Sequence, residues 1–275
     1  MTDRYAVIGN PVAHSKSPQI HAEFARQTGQ DIAYDRLLAP LDAFAATARQ
    51  FFSAGGKGLN VTVPFKRAAW AMVAAHAGGA LDAEAVNTIT RVGDDLVGYN
   101  TDGIGLVADI EQNLRLQIAG KRVLLMGAGG ASYGVMHPIL EKRPALLVVA
   151  NRTPDKAVSL VRHFQKFGQC AVHGISAQPY AALAGSKFDL VINATSAGLS
   201  GEMPPVPAGI FAAGALAYDM IYGRDTPFLE YARSQGARAA DGLGMLVEQA
   251  AESFFIWRGV RPQTAPVMRM LRGAT

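Results

Sequence analysis

Asn60-Val61-Thr62-Val63-Pro64-Phe65-Lys66 sets a hydroxyl and a single lysine at the end of a β-branched run. Asn87 and the segment Gly98-Tyr99-Asn100-Thr101-Asp102-Gly103 add amides, a second hydroxyl and a carboxylate. Reduction of a ketone by hydride leaves negative charge on its oxygen, so the site needs a proton donor there, and the reverse reaction needs a base at the same place. A lysine coupled to a carboxylate can serve both directions, and Lys66 with Asp102 is the pair these residues offer. A lone lysine is ordinarily a solvated cap, but the neighbouring Asn60, Thr62, Asn87, Asn100 and Thr101 favour a polar pocket.

A second group lies farther along. Val123-Leu124-Leu125-Met126 reads as a buried strand, and Gly127-Ala128-Gly129-Gly130-Ala131-Ser132 follows it before a helical run. Such a turn lets backbone N–H groups approach a pyrophosphate at a helix N-terminus. At the end of the next strand, where a carboxylate would bind the ribose hydroxyls of NAD, stand Asn151-Arg152-Thr153, with Lys156 one turn on. Arginine can hold the 2′-phosphate of NADP, and each good charge-assisted contact, about 1.5–3 kcal/mol, predicts a preference of roughly 10- to 150-fold for NADP. The two groups together predict an NADP-dependent oxidoreductase.

The elements that must position these residues alternate. Strand-like runs at Tyr5–Ile8, Ile32–Leu37 and Gly58–Val63 are separated by helices predicted over Pro18–Thr28 and Leu41–Ala54, which argues for an α/β unit with a largely parallel sheet. Lys121–Met126 opens a second series through Leu146–Ala150, Ala171–His173, Leu190–Ala194 and Ala215–Asp219. That series has the character of a separate Rossmann-type NADP-binding domain. A helix from Met245 to Trp257 and a shorter one near Pro266–Leu271 are expected to return to the first domain. The fold class is therefore two-domain α/β, with a substrate-binding catalytic domain formed by residues 1–102 plus 243–275, a Rossmann-type domain formed by residues 103–242, and a cleft between them. Met203-Pro204-Pro205-Val206-Pro207 reads as an exposed Pro-rich loop.

Composition narrows the alternatives. The chain has 275 residues, 49% of them hydrophobic and 17% charged, enough for two cored domains at about 100–200 residues each. A net charge of +4 and a pI near 9.2 suit anionic small molecules. No cluster of basic residues interleaved with aromatics suggests nucleic acid. One cysteine, Cys170, excludes an internal disulfide and fits a structural thiol in a reducing compartment. The six histidines lack metal-ligand spacing, so no metal site is expected. The uncharged stretch Val123–Leu140 is broken by glycines and Pro138 into strand, turn and helix, so no membrane span is expected, and a cytoplasmic enzyme is the reading.

Several signatures in order give the chain a family resemblance: Gly9-Asn10-Pro11-Val12-Ala13-His14-Ser15-Lys16-Ser17-Pro18, Asn60–Lys66, Ala85-Val86-Asn87-Thr88, Asn100-Thr101-Asp102-Gly103, Gly127–Ala131, Asn151–Thr153, Asn193-Ala194-Thr195-Ser196, Asp219-Met220-Ile221-Tyr222 and Asp241 through Gln249. They resemble the shikimate dehydrogenases nearly end to end. The resemblance implies reversible reduction of 3-dehydroshikimate to shikimate with NADPH, on the chorismate route of aromatic amino acid biosynthesis. It implies that Ser15, Ser17 and Tyr222 bind the substrate carboxylate, that Thr62, Asn87, Asp102 and Gln249 hold the ring hydroxyls, and that Lys66 is the acid/base group. It also implies cofactor contacts from Gly127, Ala128, Gly129, Gly130 and Ala131 to the pyrophosphate, from Asn151, Arg152, Thr153 and Lys156 to the adenosine phosphate, and from Thr195, Met220 and Gly244 to the ribose and nicotinamide. Tyr133 replaces a residue that is often basic in the family, and Ala74–Ala80 lacks an acidic residue some members carry. The alternatives are a quinate/shikimate enzyme using NAD and a non-catalytic NADP sensor on the same fold. Monomer and homodimer are equally open.

Overall fold

The computed structural model describes residues 2–165 and 174–273. The chain divides into two compact units, residues 1–105 with 247–275, and residues 106–246. The expected strand Ala171–His173 and the thiol of Cys170 lie outside the described residues.

The first unit carries β1 (Asp3–Gly9), β2 (Ile32–Leu38), β3 (Gly56–Val61), β4 (Ala75–Gly78), β5 (Thr88–Val92) and β6 (Asp95–Asn100), in the order β2-β1-β3-β5-β6-β4. The sheet is mixed where a largely parallel one was expected. β5 runs antiparallel to both β3 and β6, because Val92 pairs with Asp95 and only Gly93-Asp94 joins the strands. Gly93 has φ 62°, the left-handed conformation that such a two-residue hairpin turn requires. Helix α1 (Ser17–Thr28) starts with Pro18 in its first turn and stops at Gly29, whose φ is 64°. Its buried Ser17, Ile20, His21, Phe24 and Ala25 follow helical spacing and form a single inward face. Helix α2 (Phe44–Ser53) starts three residues later than expected, and α3 (Lys66–Met72) begins at the lysine itself. Lys66 therefore stands on the first turn of a helix, five residues beyond the end of β3, rather than at a strand end. A short α4 (Ala80–Ala83) and α5 (Asp102–Ala108) follow, the latter continuing into a π-helical turn, Asp109–Asn113.

The second unit holds β7 (Arg122–Met126), β8 (Leu146–Ala150), β9 (Ile175–Gln178), β10 (Phe188–Asn193), β11 (Phe211–Asp219) and β12 (Arg238–Ala240), in the order β12-β11-β10-β7-β8-β9. Every pairing is parallel, and the order reverses between β7 and β10, the arrangement of a doubly wound sheet. Both faces are covered: Leu125, Val149 and Ile192 belong to one apolar cluster, Leu124, Val148 and Val191 to another. This explains the unbroken apolar runs of β7, β8 and β10. Helices α6 (Gly130–Glu141), α7 (Pro154–Gln165) and α8 (Pro227–Ser234) connect these strands. Pro138 lies inside α6 rather than ending it. The Pro-rich loop is only partly exposed, since Pro204 is buried while Pro205 is open.

Helices α9 (Leu243–Arg258) and α10 (Thr264–Gly273) end the described chain. Trp257 of α9 packs on Tyr5 with ring centroids 4.7 Å apart and donates from Nε1 to Ile89 O at 3.1 Å. A Cβ at Gly58 would sit 2.4 Å from the indole nitrogen, so this strand residue must be glycine for α9 to dock. No helix among the described residues is long and apolar enough to cross a membrane.

Candidate active site

The first unit assembles a continuous polar network. The turn after β3 closes when Phe65 N–H bonds Thr62 O at 3.0 Å, and Lys66 follows at once. Asp102 opens α5 with its N–H held by Asn100 Oδ1 at 3.1 Å, and Asn100 itself is fixed through Ala85 O. Lys66 Nζ donates to Asp102 Oδ2 at 2.5 Å, while Asn87 Nδ2 donates to Oδ1 at 2.9 Å. The lysine side chain is 27% exposed and the aspartate 10%, so the pair is enclosed on the carboxylate side and open on the ammonium side.

Asn87 is the junction. Its Oδ1 accepts from Thr101 N–H at 2.9 Å, and Gln249 Oε1 lies 3.4 Å from both Asn87 Nδ2 and Thr101 Oγ1. Beneath them Asn60 Nδ2 donates to Thr88 Oγ1 and Ser253 Oγ, and Tyr34 donates to Asn60 Oδ1 at 2.7 Å. Ser253, one helical turn after Gln249, was not anticipated. On a helix that also carries Glu248, Glu252 and Arg258, a serine four residues after Gln249 gave no distinct signal.

Ser15 and Ser17 form a separate group. Ser15 Oγ donates to Ser17 Oγ at 3.2 Å and accepts from Ser17 N–H at 3.3 Å. Arg36 clamps this loop by donating from Nε and Nη2 to Ser15 O at 3.1 and 2.6 Å. Asn10 ties the loop after β1 to its neighbours, with its N–H on Val63 O and its Nδ2 on Ala39 O. Thr62 is half-buried and is anchored by its N–H on Ile8 O. Tyr222 stands in the second unit, half-buried in the segment after β11, and burial pushes its phenol up.

In the second unit a cavity of about 620 Å³ opens at the carboxyl ends of β7 and β10. Its floor is the glycine turn. Gly127 has φ 107°, and a Cβ there would come within 3.0 Å of Ala194 O, so no other residue fits. Gly129 caps α6, and the buried Ser132 Oγ donates to Gly127 O at 2.9 Å, locking the turn. Gly127 to Ala131, Asn151, Arg152, Thr153, Lys156 and Thr195 all line the cavity. Arg152 and Lys156 are exposed, and no described acidic side chain pairs with either, leaving two cations free for an anion. Thr195 is fixed by Asn193 Oδ1 at 2.7 Å, and Asn193 is in turn held by the buried Asp219. Burial raises the Asp219 carboxyl, against hydrogen bonds from Thr226, Ile221 N–H and Asn193.

Met220 and Gly244 are not on the cavity wall. Met220 packs against the core. A Cβ on Gly244 would lie 2.0 Å from Asp109 Oδ1, so this glycine admits a buried carboxylate that also accepts from Tyr218 at 2.7 Å. Tyr133 turns to α7, its ring 5.3 Å from that of His163. Tyr180 and the loop Glu202–Pro205 line the cavity without having been anticipated.

A doubly wound sheet whose switch point opens on a glycine-floored, cation-lined cavity is the architecture of a dinucleotide-dependent oxidoreductase. The family described as Shikimate dehydrogenase substrate binding domain matches residues 7–89, Shikimate / quinate 5-dehydrogenase matches 109–200, and Shikimate 5'-dehydrogenase C-terminal domain matches 242–272. A relative from Nitrosospira multiformis named Shikimate dehydrogenase (NADP(+)) is 58% identical, covering 100% of this chain and 98% of its own. Among solved structures, an Ael1 enzyme from Pseudomonas putida aligns with TM-score 0.92 at 46% identity, covering 98% of each chain. The shikimate 5-dehydrogenase of Thermus thermophilus, in complex with NADP(H) and shikimate, aligns with TM-score 0.88 at 32% identity over 100% of both chains. The chain belongs to the shikimate dehydrogenase family.

Proposed function

We propose that this protein is an NADP-dependent shikimate dehydrogenase that interconverts 3-dehydroshikimate and shikimate. The observation that carries the reading is the Lys66–Asp102 pair held by Asn87 and Gln249. NADP held along residues 127–131 and by Arg152 and Lys156 would supply or accept the hydride at the C3 carbon. Lys66 donates a proton to the C3 oxygen as it becomes a hydroxyl and takes it back in the oxidative direction. Asp102 orients the ammonium and, with Asn87 and Gln249, receives the ring hydroxyls. The paired hydroxyls of Ser15 and Ser17 receive the carboxylate, and Thr62 adds a further hydroxyl contact.

The glycine turn fits a pyrophosphate because any side chain on Gly127 would strike Ala194, and Arg152 with Lys156 fits an additional phosphate. The test is initial-rate oxidation of shikimate and of quinate, each with NADP and with NAD. Fast turnover confined to shikimate with NADP is expected. Quinate turnover with NAD would transfer the assignment to a quinate enzyme, and silence in all four would indicate a sensor.

A further inference from the structure

Tyr180 opens the short 3-10 helix after β9, and its ring sits in the apolar cluster with Val148, Ala150 and Leu183. The residue is only 8% exposed, yet it lines the same cavity as Arg152 and Lys156. No described residue hydrogen-bonds its hydroxyl. That oxygen is also not among the sealed, unpaired polar atoms, which among the described residues belong to His21 and Trp70, so it opens to the cavity that Tyr180 lines. A buried tyrosine normally satisfies its hydroxyl at a polar boundary, and here the boundary is the space beside Arg152. Burial pushes the phenol up to about 12 while the Arg152 charge draws it down, so through the neutral range it remains a protonated donor. A neutral donor beside a guanidinium complements a phosphate oxygen and has nothing to offer an additional cation.

We infer that Tyr180 donates a hydrogen bond to the adenosine 2′-phosphate held by Arg152 and so helps set the preference for NADP over NAD. This rests on the reading of the cavity as the NADP site. It supplies a recognition element that neither the glycine turn nor the basic pair provides: a rigid donor fixed in the core rather than on a solvated side chain.

The experiment compares Tyr180→Phe and Arg152→Gln in the full chain. For each, KM is measured for NADP and for NAD at saturating shikimate, and Kd by calorimetry for 2′-phospho-ADP-ribose and for ADP-ribose. Phe keeps the ring and removes one oxygen. Tyr180→Phe is expected to raise KM for NADP and Kd for 2′-phospho-ADP-ribose about 5- to 20-fold, with kcat and both NAD-side values unchanged. Unchanged affinity for the phosphorylated ligands, or equal weakening of both ligand types, overturns the inference. If Arg152→Gln abolishes the NADP preference while Tyr180→Phe does not, only the role of Tyr180 fails. If Arg152→Gln leaves the preference intact, the phosphate site lies elsewhere and both readings fall.

Discussion

The two oxygens of Asp102 are divided between Lys66 and Asn87: Oδ2 takes the ammonium at 2.5 Å and Oδ1 takes the amide at 2.9 Å. The carboxylate is thereby held on one side and presents the lysine on the other. Lys66→Ala is expected to lower kcat about 10²–10⁴-fold while shifting shikimate affinity far less. Steady-state kinetics in the oxidative direction decides it, and near-normal turnover would refute the role.

Arg36 acts on the Ser15 loop through a backbone carbonyl. Its two hydrogen bonds to Ser15 O hold the loop that carries Ser15 and Ser17 and set a positive charge beside the carboxylate site proposed for them. Arg36→Ala is expected to raise KM for shikimate about 2- to 10-fold, leaving kcat and KM for NADP within about twofold. A parallel fall in kcat would show that the guanidinium acts on the chemical step instead.

His21 gives the first unit an acid-sensitive core. Its ring stacks on Tyr34 at 4.2 Å, neither nitrogen makes a well-formed hydrogen bond, and burial lowers its pKa from 6.5 to about 3 against a weaker polar contact with Asn60. The unfolded chain takes up the proton below 6.5 and the folded chain does not until about 3, so this residue's contribution is complete above 6.5 and is lost as pH falls through that window. Between pH 7 and about pH 4.5 it should withdraw up to about 3 kcal/mol of stability. Urea unfolding at those two pH values, for the parent and for His21→Phe, should show a smaller acid loss in the variant. Identical losses would remove His21 from the account.

Gly244 faces a buried carboxylate, so the expected effect of Gly244→Ala is structural. A methyl group there must displace Asp109 from Tyr218 and should cost about 1–3 kcal/mol. Thermal unfolding measures this, and an unchanged midpoint with a raised KM for NADP would assign the residue to the cofactor instead.

The second unit was far more legible in the sequence than the first. Its strands are buried on both faces, so β7, β8 and β10 read as continuous apolar runs with a glycine turn at the switch point. In the first unit β4, β5 and β6 went unread. Gly98 interrupts β6 because a Cβ there would lie 2.5 Å from Val86, and polar residues occupy the sheet where the pocket is built. Gly93-Asp94 between two strand-like runs was the available hairpin signal. Lys66, Asn87, Asp102 and Arg152 stand out in the sequence by their types and spacing, and the structure joins the first three in one hydrogen-bonded network and sets Arg152 on the cavity wall. Ser253, Arg36 and Tyr180 do not stand out, since each acquires meaning only through partners distant in sequence: Asn60, Ser15 and the cavity wall.

Gln249 and Ser253 reach the network from the far end of the chain. A ribosome has made Lys66, Asn87 and Asp102, then all of residues 106–246, before it makes the helix that completes them. The network of the first unit is therefore discontinuous in sequence and cannot be complete until α9 has been made. Any stop in translation before α9 leaves Asn60 and Asn87 without the partners that Ser253 and Gln249 supply.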